Sequence, residues 1–294
     1  MAIAAAVVSV VMWAGLPLLR EHAELPAMLT ATVVMMCAAL VAALLAAGVA
    51  GRHARRDSVR RDLRYWAGGV AAIVGALYCY FAALDLGDPA RVTVVTYVWP
   101  IGFIAAADVL EGRRANPAVF IGALLAFSGV VPLVSGDTTG VATPVSAYAF
   151  GVGAGACWIG FSLYLRRSGM ASLPAFAAMF ARAALAALVL HLLFEASVRL
   201  DVRALPAAAA IGVGPYGLAF ITWGYALRHG PSGLLGVFNY FVPIISSMLL
   251  LTLGYSEPDS ALLYASVSVT AGAILASVDW RPRFSRRRPA ARRM

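Results

Sequence analysis

A chain of 294 residues that is 62% hydrophobic and 13% charged, with a mean hydropathy of +0.83, has too little polar surface to coat a soluble globule, since soluble domains average about 25% charged residues. The net charge of +9 comes from 23 arginines and no lysine, clustered in short segments between apolar runs, and this excludes a nucleic-acid-binding reading in favour of loops sorted by membrane side.

In chain order, the first apolar run covers 2–19. No basic residue precedes it and its first charge is Arg20, which predicts a retained span and not a cleaved leader. Further runs follow at 28–49, 65–84, 90–109 and 117–134, then at 145–165, 172–194, 206–227, 232–252 and 259–278. Each is long enough to cross a bilayer core, for which roughly 17–25 residues suffice. Each is also apolar nearly all round, unlike the striped helix of a soluble core. The connections are short and rich in Gly, Pro, Asp or Arg. The pattern predicts an all-α integral membrane protein of ten transmembrane helices. Cys37, Cys79 and Cys157 all fall within apolar runs with no CxxC spacing, so metal and disulfide roles are not expected.

The arginines sort by side. Eighteen of the 23 lie in 50–64, 110–116, 166–171, 228–231 and the tail after Val278; Arg20, Arg91, Arg199 and Arg203 lie opposite, and Arg182 lies within a span. Positive charge stays on the cytoplasmic side, which predicts cytoplasmic N- and C-termini for a multi-pass protein of the bacterial inner membrane. The basic tail, 281–294, is expected to meet anionic lipid headgroups.

Internal similarity divides the rest. Tyr97-Val98-Trp99-Pro100-Ile101 resembles Tyr240-Phe241-Val242-Pro243-Ile244. Sixteen residues before each proline stands the leucine of an Ala-Leu pair (Leu84, Leu227), and twenty-nine after each stands a glycine (Gly129, Gly272). Trp13-Ala14-Gly15 matches Trp158-Ile159-Gly160, and Leu25-Pro26-Ala27 matches Leu173-Pro174-Ala175. The order predicts two five-helix repeats, 1–136 and 137–280. Five is odd, so the second copy enters the membrane from the opposite side. Inverted repeats around a central cavity are a transporter architecture that works by alternating access.

With Ala83-Leu84, Ala226-Leu227, Pro100, Pro243, Glu111 and Glu257 in place, the chain resembles the ten-helix EamA branch of the drug/metabolite transporter superfamily along essentially its whole length. The first half departs from the pattern: Pro100 to Glu111 is eleven residues, while Pro243 to Glu257 is fourteen. The aromatic content (Trp13, Tyr78, Tyr80, Tyr97, Trp99, Trp158) and the Tyr-Val-Trp-Pro string are similar to those of the branch's aromatic amino-acid exporters. The resemblance implies export of amino acids, aromatic or large and neutral, with substrate bound by Trp13, Tyr78, Tyr97, Trp99 and Trp158. The alternative is a permease or efflux protein for other small metabolites or drugs.

From the residues themselves, Pro100 and Pro243 each remove a backbone donor within a span and so predict kinks facing the cavity. Tyr97 and Trp99 precede the first kink, and Asn239 and Tyr240 the second; all four lie inside their spans and are expected to line the cavity and bind substrate. Tyr78 and Tyr80 point about 200° apart on a helix, so at most one of them faces the cavity. The glycines Gly151, Gly153, Gly155 and Gly160 read as close helix packing. Arg182 is the one ionisable residue deep in a span. It reads either as a partner for a substrate carboxylate or as a structural arginine bonded to backbone carbonyls. Asp108 reads as a solvated helix-end charge. Spans one to three and six carry no Asp or Glu, which disfavours proton/drug antiport through an intramembrane carboxylate. With no HExxH, no paired intramembrane carboxylates and no nucleophile motif, no enzyme and no cofactor are expected. A monomer is the expected oligomeric state.

Overall fold

The computed structural model describes residues 1–49, 63–110, 112, 116–135, 143–168, 172–196, 201–229, 238 and 240–278. Among these every regular element is a helix: α1 (Ala2–Ala14), α2 (Leu16–Glu21), α3 (Ala27–Val49), α4 (Leu63–Leu86), α5 (Pro89–Thr96), α6 (Trp99–Leu110), α7 (Pro117–Ser135), α8 (Val145–Ser168), α9 (Leu173–Phe194), α10 (Leu205–Ile211), a π-helical turn (Gly212–Leu218), α11 (Ala219–His229), α12 (Val242–Thr252) and α13 (Ser260–Ala276). Eight stretches, from Ala2–Glu21 to Leu205–Trp223, are long and apolar enough to cross a membrane, and α12 and α13 are shorter apolar helices. The protein is an all-α integral membrane protein. Asn239 and the basic tail 281–294 lie outside the described residues.

Large apolar side chains face outward in numbers no soluble surface carries: Leu44, Leu185, Leu192, Phe120 and Val267 are all exposed. Lipid tails are as apolar as leucine, so burial of greasy surface does not drive these helices together; small residues and close contact do. α3 meets α9 through Ala31, Ala38 and Ala42 on one side and Ala183 and Ala187 on the other, all fully buried. α7 meets α13 so closely that a Cβ on Gly122 would strike the backbone of Gly272, and one on Gly272 would strike that of Gly122. One turn pair further along, a Cβ on Gly129 would lie 2.8 Å from the Ala265 backbone. α4 packs on α8, α1 on α11, α5 and α6 on α8, and α12 beside both α5 and α1.

Start signals in the sequence act as local physics requires. Asp88, Ser172 and Asp259 cap α5, α9 and α13 by accepting from the amides of Arg91, Ala175 and Ala261. Asn116 caps α7 in the same way, from the Ala118 amide. The two mid-span prolines do more than kink a helix. Pro100 and Pro243 occupy the first turns of new helices, α6 and α12, after breaks at Tyr97-Val98 and Tyr240-Phe241. A proline in the first turn costs nothing there, because that amide has no intrahelical partner anyway.

Candidate functional site

The densest chemistry among the described residues is aromatic. It lies where α1, α8, α9, the π-turn and α11 meet. Phe220, at the start of α11, is its centre. Tyr216 and Trp158 lie nearly parallel to its ring, at 5.9 Å and 16° and at 6.1 Å and 25°. Trp13 and Phe180 meet it edge-on at 5.8 Å and 6.1 Å, and Phe161 at 6.4 Å. Trp158 also stacks on Tyr216 at 6.2 Å. Offset-stacked and edge-to-face pairs are the arrangements that the ring quadrupole favours.

The π-turn explains why these rings assemble. Gly212-Val213-Gly214-Pro215-Tyr216-Gly217 places a proline within an apolar span, where it has no amide to give. In this turn hydrogen bonds reach one residue further than in an α-helix, as the bond from the Ala219 amide to the Gly214 carbonyl does. The span therefore continues past the proline without unwinding. Gly212 and Gly217 have the backbone against α3, with the added Cβ of Gly212 only 2.7 Å from the Cys37 Cβ. From α1, the Trp13 indole Nε1 donates to the Pro215 carbonyl at 2.9 Å.

Of the residues expected to bind substrate, Trp13 and Trp158 are brought together through Phe220. Tyr97 packs with Trp13, Phe238 and Ile245 around buried Val10, Ala14 and Val242. Tyr240 is buried in a second core with Val94, Val95 and Leu250, and its carbonyl accepts from the Thr270 hydroxyl at 3.0 Å. Tyr78 stands apart, exposed, with its ring edge on Phe150 at 5.9 Å. Its neighbour Tyr80 is the buried one, hydrogen-bonded to Thr93 at 2.9 Å. Pro100 and Pro243 are both buried. Arg182 is exposed on α9, donating to the Ala178 carbonyl at 2.9 Å. Sequence reasoning missed Tyr216, Phe220 and Trp223; the proline inside 206–227 was the signal that something special happens in that span.

Trp99 lies elsewhere. It meets Phe103 edge-on at 6.3 Å and lines a side groove of about 560 Å³ between α6, α7 and α8. Thr96, Gly102, Phe120 and Ile159 also line the groove, and none of the rings around Phe220 does. Asp108 lines it too and is buried at 4% exposure, so it is not the solvated helix-end charge that its position suggests.

Polar contacts gather at the ends of α2, α4 and α9 and the starts of α3, α5 and α13. Arg20 pairs with Asp85 at 2.7 Å and donates to the carbonyls of Ala23 and Leu25. Arg91 pairs with Asp259 at 2.5 Å and donates to the Leu133 carbonyl. Glu195 accepts from the Met28 amide at 2.8 Å and meets His191 at 2.7 Å. No group of three or more metal-ligating side chains occurs among the described residues.

Residues 1–135 match the model of the EamA-like transporter family. The chain is 34% identical over 238 residues to a protein of Ancylobacter novellus named "Aromatic amino acid exporter YddG", covering 80% of this chain and 82% of that one. It is 25% identical over 230 residues to a protein of the same name from Salmonella typhimurium, covering 72% and 76%. A solved crystal structure superposes with a TM-score of 0.70 at 28% identity, covering 94% of this chain and 96% of the other.

Proposed function

The chain belongs to the EamA-like transporter family, and we propose that within it this protein exports aromatic or large neutral amino acids across the bacterial inner membrane by alternating access. The aromatic centre carries the reading. Trp13 comes from the first proposed repeat, while Trp158, Tyr216 and Phe220 come from the second, so a flat apolar side chain held there touches both halves at once. Relatives that carry the name of aromatic amino-acid exporters support the same substrate class.

Packing supports the two inverted halves. Exchanging α1 with α8, α3 with α9, α4 with the α10–α11 span, the α5–α6 span with that of α12, and α7 with α13 leaves the most extensive packed pairs matched: α3–α9, α7–α13 and α5–α12 map onto themselves, and α4–α8 onto α1–α11. The contact of Gly122 with Gly272 becomes that of Ala265 with Gly129, at the same offset that relates Pro100 to Pro243. Asn116 and Asp259 are equivalent by this offset, and both cap their helices by accepting from the second amide beyond. The arginine bias supports cytoplasmic termini.

Purified protein in liposomes, loaded with radiolabelled phenylalanine, tryptophan or alanine, tests the reading. Wild type is expected to carry phenylalanine and tryptophan faster than alanine, and Trp158→Ala to lose most of that flux while still inserting. Movement of a quaternary amine, with neither aromatic amino acid bound nor moved, replaces this substrate class by cationic compounds, which rings also attract through their faces.

A further inference from the structure

We infer that Trp13 is a positioning residue: its indole N–H holds the π-turn of the eighth span in register, and that register turns Phe220, beyond the turn, towards Trp158. The inference deepens the proposed amino-acid site and rests on that reading for its link to affinity.

A π-turn holds one residue more than the α-helical turn it replaces. Return to a regular α-helix rotates everything beyond the turn by about 100° relative to what precedes it. Phe220 lies just past the turn, so such a rotation swings its ring away from Trp158 on α8 and Trp13 on α1, while Tyr216, four residues before it, shares its face in either register. Something must favour the wider turn over the commoner one. On the α3 side, Gly212 and Gly217 supply only close backbone contact. On the opposite side, the Trp13 Nε1 donates to the Pro215 carbonyl at 2.9 Å. The same indole meets Phe220 at 5.8 Å and Trp223 at 5.5 Å, both edge-on. One side chain thus touches the backbone of the turn and two rings that the turn orients. Trp13 also stands one residue before the end of α1, where the chain turns at Gly15 into α2. A tilt of α1 in the transport cycle therefore reaches the ring stack through this one side chain.

The test is a double-mutant cycle on the full-length protein. Trp13→Phe keeps a ring and removes the donor; Pro215→Ala restores an amide and permits the α register. Phenylalanine affinity is measured by calorimetry, and the register beyond the turn by disulfide cross-linking of Ser9→Cys to Thr222→Cys, whose hydroxyls lie 2.7 Å apart, with Cys37, Cys79 and Cys157 replaced by serine. Trp13→Phe is expected to weaken binding about three- to tenfold, the net effect of one hydrogen bond, and to lower the yield of the cross-link. In the Pro215→Ala background the same change is expected to leave the cross-link nearly unaltered and to cost less affinity, because the turn it holds is gone. Additive effects overturn the inference, as does wild-type affinity and cross-linking in Trp13→Phe. If Pro215→Ala does not fold, Trp13→Gln takes its place: a donor without a ring is expected to retain more of the cross-link than Trp13→Phe, and the reverse order overturns the claim. A wild type that binds no aromatic amino acid, yet loses its cross-link non-additively across the cycle, overturns the substrate reading and leaves the positioning role standing.

Discussion

Two arginines that run against the charge bias turn out not to be free surface charges. Arg20 and Arg91 lie on the arginine-poor side, but both are nearly buried, and each pairs with a carboxylate and donates to backbone carbonyls. Sidedness is decided by positive charge in loops, so buried, paired arginines carry little of that signal. Asp259 does two tasks, capping α13 and pairing with Arg91, with side chains only 5% and 8% exposed. Asp259→Asn keeps the cap, as Asn116 does for α7, but takes the negative charge from beside the arginine. It is expected to cost about 3–5 kcal/mol, the usual loss when one member of a buried pair is removed. Adding Arg91→Leu is expected to recover most of that, because no buried charge is then left unpaired. Thermal unfolding in detergent checks both. Residue chemistry alone misjudged Asp108: its place near a span end suggested solvent, but burial depends on which helices stand beside it.

At the level of elements, the breaks at Tyr97-Val98 and Tyr240-Phe241 and the π-turn at Gly212–Leu218 each fall at a proline inside an apolar span, whereas Pro132 stays within α7. Proline chemistry predicts a disturbance at Pro100 and Pro243, and Pro215 carries the same signal. It did not distinguish a fresh helix start from a π-turn, because both accommodate a missing amide and the neighbouring helices choose between them. The α7–α13 pair follows a second rule, closeness through small residues. Gly122→Leu is expected to force these helices apart and to destabilise by at least about 1–3 kcal/mol, the range for overpacking. Gly129→Leu, against the Ala265 backbone, is expected to do the same, while Gly68→Leu, with nothing within 4 Å of its Cβ, is expected to leave stability unchanged. Yield and melting temperature of the purified variants separate the two groups.

For the whole molecule, the proposed two-fold makes a claim about sidedness. In a variant with Cys37, Cys79 and Cys157 replaced by serine, a single cysteine from Ala54→Cys or Ala290→Cys is expected to react with a membrane-impermeant maleimide only after the cells are opened. One from Thr138→Cys is expected to react in intact cells whose outer membrane is permeable. The opposite labelling reverses the orientation, and labelling of all three from one side removes the odd number of crossings per half on which inversion depends.

The sequence by itself determined the membrane class, the all-helical fold and the approximate position of the first eight spans, and particular residues carried the resemblance to the family. The class and the spans follow from hydropathy and length, each a property of neighbours along the chain. Among the aromatic candidates it marked Trp13 and Trp158 but did not separate them from Trp99 and Tyr78, which lie on the side groove and on the exposed face against Phe150. Only the tertiary structure decided that Phe220 and Tyr216 stand at the centre. In a helix that is apolar all round, no stripe in the sequence says which side is inward; contact with the next helix does.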